Sequence, residues 1–146
     1  MADFSQSYST RIAAPMTDCF AVLTEFAAYP SWSAPVKECR VLDHHSDGLP
    51  RRVAFALDFT LKTVRYVLEY TYDPPRSAHW HLVEGDVTAV EGSYRFAESG
   101  AHTDATCSQA IDIGFWIPGP LRRTFEKKAL RDSVEEFRRA VEARSR

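Results

Sequence analysis

At 146 residues, 45% hydrophobic and 12% aromatic, the chain has the apolar material for one domain of ordinary size with a substantial core, which excludes a disordered segment. Its formal net charge of −2 lacks the basic excess that a polyanion partner requires, so nucleic acid is not an expected partner. No apolar run approaches the roughly 20 residues of a membrane span, and the opening MADFSQSYSTRIAAP has neither a basic start nor an apolar signal core, so no integral membrane span and a cytoplasmic location are expected.

The first strand is read over FSQSYSTRIAA (4–14). PMTDCFAVLTEFAAY (15–29) then reads as a helix: Pro15 suits a first turn, where its missing N–H would be unpaired in any case, and Phe20, Leu23 and Phe26 recur at helical spacing. Pro30 disfavours helix at Tyr29 and is expected to end it. Six strands follow: 36–44, 51–60, 63–72, 78–84, 89–96 and 102–115. Val64, Tyr66, Leu68, Tyr70 and Tyr72 alternate cleanly onto one face of the third of these. The connections HHSDGLP and DPPRS are turn-rich, and the others contain glycine. The last segment, GPLRRTFEKKALRDSVEEFRRAVEARSR (119–146), is an amphipathic helix with Leu121, Phe125, Leu130, Val134, Phe137 and Val141 on its apolar side. About 25 helical residues reach on the order of 37 Å, long enough to cross a sheet.

Short connections make neighbouring strands antiparallel. The fold class expected is α+β: a curved antiparallel sheet with one face against a long C-terminal helix and the other facing water. A symmetric DPPRS hairpin sets Tyr70 opposite Trp80, Leu68 opposite Leu82 and, on the outer face, Glu69 opposite His81. Carrying that face onward puts Trp80 near Tyr94 and Leu82 near Gly92, with Ala105, Cys107, Gln109, Ile111 and Ile113 facing inward. Large rings with polar tips thus share the inner face with small or polar residues where a tight core would want leucine. Such a face either packs as an aromatic ladder or leaves room for a small molecule.

Several pieces carry a family resemblance: FAVLTEFAAYPSWSAPVKECRVLD, YTYDPP, Trp80, EGSYRF and IPGPLRRTFEKKAL. In order and spacing, from residue 3 to about 142, the chain resembles the polyketide cyclase/dehydrase and coenzyme-Q-binding-like branch of the START-like (SRPBCC) superfamily. The resemblance implies a helix-grip fold, with seven antiparallel strands around the long helix and two short helices after strand one. It also implies a cavity between sheet and helix for a hydrophobic ligand such as a lipid, polyketide or quinone. The expected ligand-contacting residues are Trp32, Phe55, Tyr66, Leu68, Tyr70, Trp80, Leu82, Tyr94, Cys107, Gln109 and Phe125. Trp32 is expected as a wall or gate, with Tyr29 and Pro30 fixing the corner beside it.

No catalytic set stands out. His44, His45 and His102 fall in turns, and His79 and His81 share an outer face without a third ligand, so no metal is expected. The three cysteines (Cys19, Cys39, Cys107) form no CxxC pair and read as buried free thiols; Cys107 has no basic partner to lower its pKa. Glu84 falls on the inner face by hairpin arithmetic, near Tyr66 and Val90 at a strand end, where a turn-like EGD favours a solvated rim. Arg122 and Arg123 could meet an anionic head, with solvation as the default. The leading expectation is a non-catalytic carrier of a small hydrophobic molecule, without cofactor, as a monomer or homodimer. The alternative is an aromatase/cyclase folding a poly-β-keto chain, with Tyr66, Tyr70, Tyr94, Gln109 or Glu84 contacting its carbonyls.

Overall fold

The computed structural model describes residues 6–59, 62–112 and 119–145. Seven strands form one antiparallel sheet: β1 (Gln6–Ile12), β2 (Val36–His44), β3 (Pro50–Phe59), β4 (Lys62–Asp73), β5 (Ser77–Gly85), β6 (Ala89–Ser99) and β7 (His102–Asp112). Their spatial order is β1-β7-β6-β5-β4-β3-β2, a meander closed by pairing the first strand with the last. Helices α1 (Met16–Thr24) and α2 (Tyr29–Trp32), with a 3₁₀ turn over Phe26–Ala28 between them, fill the crossing from β1 to β2. Helix α3 (Gly119–Arg144) follows the sheet. Expected strand residues 4 and 5, 60 and 113–115, including Ile113, lie outside the described residues.

The expected single helix over 15–29 is broken. The chain leaves helical geometry at Glu25, with φ −88° and ψ 69°, and Pro30, after a helical Tyr29, sits in the first turn of α2 instead of ending α1. The physical reason is that a proline in a first helical turn forfeits no hydrogen bond. Cys19, Val22 and Leu23 turn inward from α1 at helical spacing, and Phe26 is sealed at 1% exposure.

The DPPRS hairpin has the expected register, with Tyr70 opposite Trp80, Leu68 opposite Leu82 and Glu69 opposite His81. Two expectations beyond it are corrected. A bulge between Val67 and Leu68 pairs Val67 with Glu84, which sends Glu84 to the outer, exposed face. The β5–β6 register is offset by two residues, so Gly92 lies opposite Trp80, and Ala78 opposite Tyr94. That offset keeps each residue on its face, which is why the inner surface is still the one the alternation indicates.

Helix α3 is held by its C-terminal half. Leu130, Val134, Phe137 and Val141 are buried. The Tyr8 hydroxyl donates to Glu135 at 3.0 Å, the Ala13 N–H donates to Glu142 at 2.9 Å, and Arg144 pairs with Glu25 at 2.9 Å. Leu121 and Phe125, expected on the buried stripe, are 63% and 44% exposed. The first turns of α3 stand over the cavity described below, with Arg122 3.9 Å from Asp112 at the end of β7.

Phe137 packs among the rings of Trp32, Tyr94 and Phe96, with centroids 4.9–6.1 Å away. Phe137→Ala is expected to cost about 3–5 kcal/mol, read as a lower midpoint in urea unfolding.

Candidate functional site

Between the sheet and the first half of α3 lies a cavity of about 430 Å3. Its floor is the inner face of the sheet: Phe55 from β3, Tyr66, Leu68 and Tyr70 from β4, Trp80 from β5, Tyr94 from β6, and Cys107, Gln109 and Ile111 from β7. Its roof is α3 through Arg122, Phe125, Glu126, Ala129, Leu130 and Ser133, and one wall is the corner from Tyr29 to Val36. Of the residues expected at a ligand, Leu82 alone does not line it; that side chain is half-buried at the margin of the core.

Glycine shapes the floor. In the row Trp80–Gly92–Gln109 across β5, β6 and β7, Gly92 has no side chain to separate its neighbours. The indole of Trp80 therefore lies across Gly92 and donates its N–H to Gln109 Oε1, two strands away, at 3.3 Å. A Cβ on Gly92 would stand 2.5–2.6 Å from the indole. Gly85 serves Tyr66 likewise: a Cβ there would come within 2.4 Å of the tyrosine's own Cβ, and its φ of +146° is one that side chains rarely adopt.

The rings contact one another in a chain. Tyr66 stacks on Phe55 at 5.6 Å, Tyr70 meets Trp80 at 5.7 Å, and Trp80 meets Tyr94 at 6.0 Å. At the corner, the Tyr29 hydroxyl donates to Leu23 O, and its ring lies 4.7 Å from that of Trp32. Tyr29 thus fixes the corner as expected, and it lines the cavity as well. Trp32 bridges Tyr29 and Phe137, and its buried Nε1 has no acceptor among the described residues. The Ala34 N–H donates to Glu136 at 3.0 Å, joining corner to helix.

Burial sets the electrostatics. It pushes the phenols of Tyr66, Tyr70 and Tyr94 well up from their ordinary value and the Cys107 thiol up to about 12. Cys39, opposite Phe55 on the neighbouring strand β2, is also raised to about 12 by burial, and Cys19 to about 11. All three cysteines are free. The charges of the wall are matched: Arg122 lies 3.6 Å from Glu126 and 3.9 Å from Asp112, Lys128 lies 2.6 Å from Asp132, and Lys37 lies 3.6 Å from Asp58.

His79, His81 and Glu84 are exposed on the outer face, away from the cavity. His44 ends β2 and His102 opens β7, both exposed, in place of the turns expected. His45 does lie in a turn, and its Nε2 is 2.7 Å from Tyr70 O. Among the described residues no group of three or more His, Cys, Asp or Glu is placed to hold a metal ion, and no helix is long and apolar enough to cross a membrane. Sequence reasoning missed Ser33, Ala34, Pro35, Leu57, Glu126 and Ser133 as lining residues. Only the unusual density of rings and prolines around YPSWSAPV marked part of that wall.

Residues 12–138 match the family model described as polyketide cyclase/dehydrase and lipid transport, and the chain belongs to that family. No curated protein matches it in sequence. Among solved structures, a START superfamily protein from Mycobacterium smegmatis is 20% identical, with a TM-score of 0.87 over 95% of this chain and 97% of that one. The Zhui aromatase/cyclase from Streptomyces sp. R1128 is 18% identical, with a TM-score of 0.80 over 97% and 95%. A protein from Thermus thermophilus is 20% identical, also at 0.80, over 97% and 96%. These likenesses show the START-like helix-grip fold.

Gly92→Ala is expected to force the Trp80 indole off Gln109 and to destabilise by about 1–3 kcal/mol, as overpacking does; urea unfolding with near-ultraviolet circular dichroism reads both effects. The raised phenols and thiols give a pH prediction. An unfolded chain releases these protons near about 8.5 for cysteine and about 10 for tyrosine, whereas the folded chain retains them. Stability is therefore complete below about pH 8.5 and declines as pH rises towards about 12. Tyrosinate absorbance from Tyr66, Tyr70 and Tyr94 should appear together with the loss of circular dichroism, not before it.

Proposed function

We propose that the protein binds a small hydrophobic molecule in the cavity between the sheet and α3. The observation that carries this reading is the cavity itself: about 430 Å3 of space walled mainly by aromatic and aliphatic side chains, with a few polar tips. Native interiors close voids of that size because unfilled space forfeits contact energy. Here the largely exposed first turns of α3 and the glycine under the Trp80 indole keep it open. A volume and lining of this kind are typical of small-molecule sites. In this reading Trp32, Phe55, Tyr66, Leu68, Tyr70, Trp80, Tyr94, Cys107, Gln109 and Phe125 contact the ligand, and Leu82 supports the floor.

The aromatase/cyclase alternative draws support from the fold shared with the Zhui aromatase/cyclase, at 18% identity. Proton relay at neutral pH works best from a group that titrates near that pH. The phenols and the thiol of the floor are held protonated by burial, and the wall carboxylates are engaged by Arg122, Lys128, Lys37 and the Ala34 N–H. The side chains therefore favour holding a molecule over transforming it.

Extraction of the purified protein followed by mass spectrometry tests the reading: a stoichiometric hydrophobic compound is expected. Trp32→Ala is expected to release that compound faster while lowering the unfolding midpoint only modestly. Equal retention by the variant and the parent would contradict a role for Trp32 as wall or gate.

A further inference from the structure

Helix α3 is uneven in charge. From Leu121 to Arg131 it carries five basic residues, Arg122, Arg123, Lys127, Lys128 and Arg131, against Glu126 alone. From Asp132 to Arg144 acidic residues outnumber basic ones. The whole chain has a formal net charge of −2, so the first turns of α3 form a basic patch on a mildly acidic protein. Arg123 and Lys127 are exposed and enter no ion pair among the described residues. The carboxylates that line the cavity beneath are already engaged: Glu126 by Arg122 at 3.6 Å, Asp132 by Lys128 at 2.6 Å, Asp58 by Lys37 at 3.6 Å, and Glu136 by the Ala34 N–H at 3.0 Å.

The same turns expose apolar side chains. Leu121 and Phe125 are two of the four large hydrophobic residues exposed among the described residues, and they lie about one helical turn apart. Leu121, Phe125 and Lys128 form one line along the helix, and Thr124, Lys127 and Arg131 form the neighbouring line. All six are exposed. Phe125 and Lys128 also line the cavity, so the first of these lines is its lip. A leucine and a phenylalanine that protrude beside cations have no shaped recess to offer a folded partner. They do match the interfacial zone of an anionic bilayer, where apolar side chains enter the acyl boundary while ammonium and guanidinium groups stay among the phosphates.

We propose that the first turns of α3 dock on an anionic lipid surface, with Leu121 and Phe125 at the headgroup boundary and Lys127, Lys128 and Arg131 against the phosphates. The remainder of the chain is acidic and is repelled by such a surface, which turns the basic end towards it. Docked in this way, the lip of the cavity faces lipid, and an apolar molecule passes between bilayer and cavity without crossing water. That passage rests on the reading of the cavity as a ligand site; the docking itself does not.

The test uses the full chain in sedimentation with vesicles of phosphatidylcholine alone and of phosphatidylcholine mixed with phosphatidylserine. The mixed vesicles should bind about tenfold more tightly than the neutral ones at low salt, and less tightly as salt rises. Lys127→Gln and Arg131→Gln should each weaken binding to the mixed vesicles about fivefold, the worth of one basic residue near the surface. Leu121→Ser should weaken it about threefold to tenfold. Leu42→Ser removes an exposed leucine from β2 and should change nothing. All four side chains are exposed, so the thermal midpoints of the variants should match the parent's. Absence of binding to the mixed vesicles, equal binding to both kinds, or Leu121→Ser sedimenting like the parent would overturn the proposal. Binding of polyglutamate as tight as that of the mixed vesicles, and insensitive to Leu121→Ser, would overturn it too, because the patch would then serve an acidic polypeptide. None of these outcomes alters what is extracted from the cavity, so failure of the docking surface is distinguishable from failure of the ligand site.

Discussion

The structure depends on α3 being fastened at one end. Its last four turns bury Leu130, Val134, Phe137 and Val141 and are tied to strand β1 and helix α1 through Glu135, Glu142 and Arg144. In its first turns Arg122 lies 3.9 Å from Asp112 at the end of β7, while Leu121 and Phe125 stay largely exposed. A helix is stiff over this length, so fastening one end sets the height of the other above the sheet. The gap that results is the cavity.

What fills the floor of that gap is governed by side-chain size as much as by polarity. Without Gly92 the Trp80 indole could not reach Gln109, and without Gly85 the backbone at Tyr66 could not approach β5 so closely. Each glycine weakens its strand locally; Gly92 in exchange lets the Trp80 ring lie flat, and Gly85 lets the Tyr66 backbone come close. The interior then combines aromatic surface with neutral amide and indole groups and phenols that burial keeps protonated, while the ionic groups are matched in pairs along the roof and rim. Such an arrangement tolerates a guest of neutral character without a large desolvation penalty.

Much of this is legible in the sequence. The alternation of Val64, Tyr66, Leu68, Tyr70 and Tyr72 marks a half-buried strand, and DPPRS sets the register of its hairpin, because an alternating pattern and a short rigid turn constrain each other locally. Parity then assigns Trp80, Tyr94, Cys107 and Gln109 to the inner face even where the expected β5–β6 pairing is off by two residues, since a two-residue slip leaves every side chain on its face. Glu84 is misplaced by the same arithmetic because a bulge changes parity and has no reliable signature in a single sequence. The break at Glu25 is hidden because the apolar spacing of Phe20, Leu23 and Phe26 continues across it; only packing against the sheet shows that the helix must turn there.

The sequence by itself determined the order of elements, the inward aromatic face, the closing amphipathic helix and the family, because these are written in local periodicity and short motifs. The tertiary structure alone decided that α3 seats over only part of its length, that Gly92 is the gap through which Trp80 meets Gln109, and that the corner after α1 forms a wall. Those features arise where residues far apart in the chain compete for the same space, and no local pattern records the outcome.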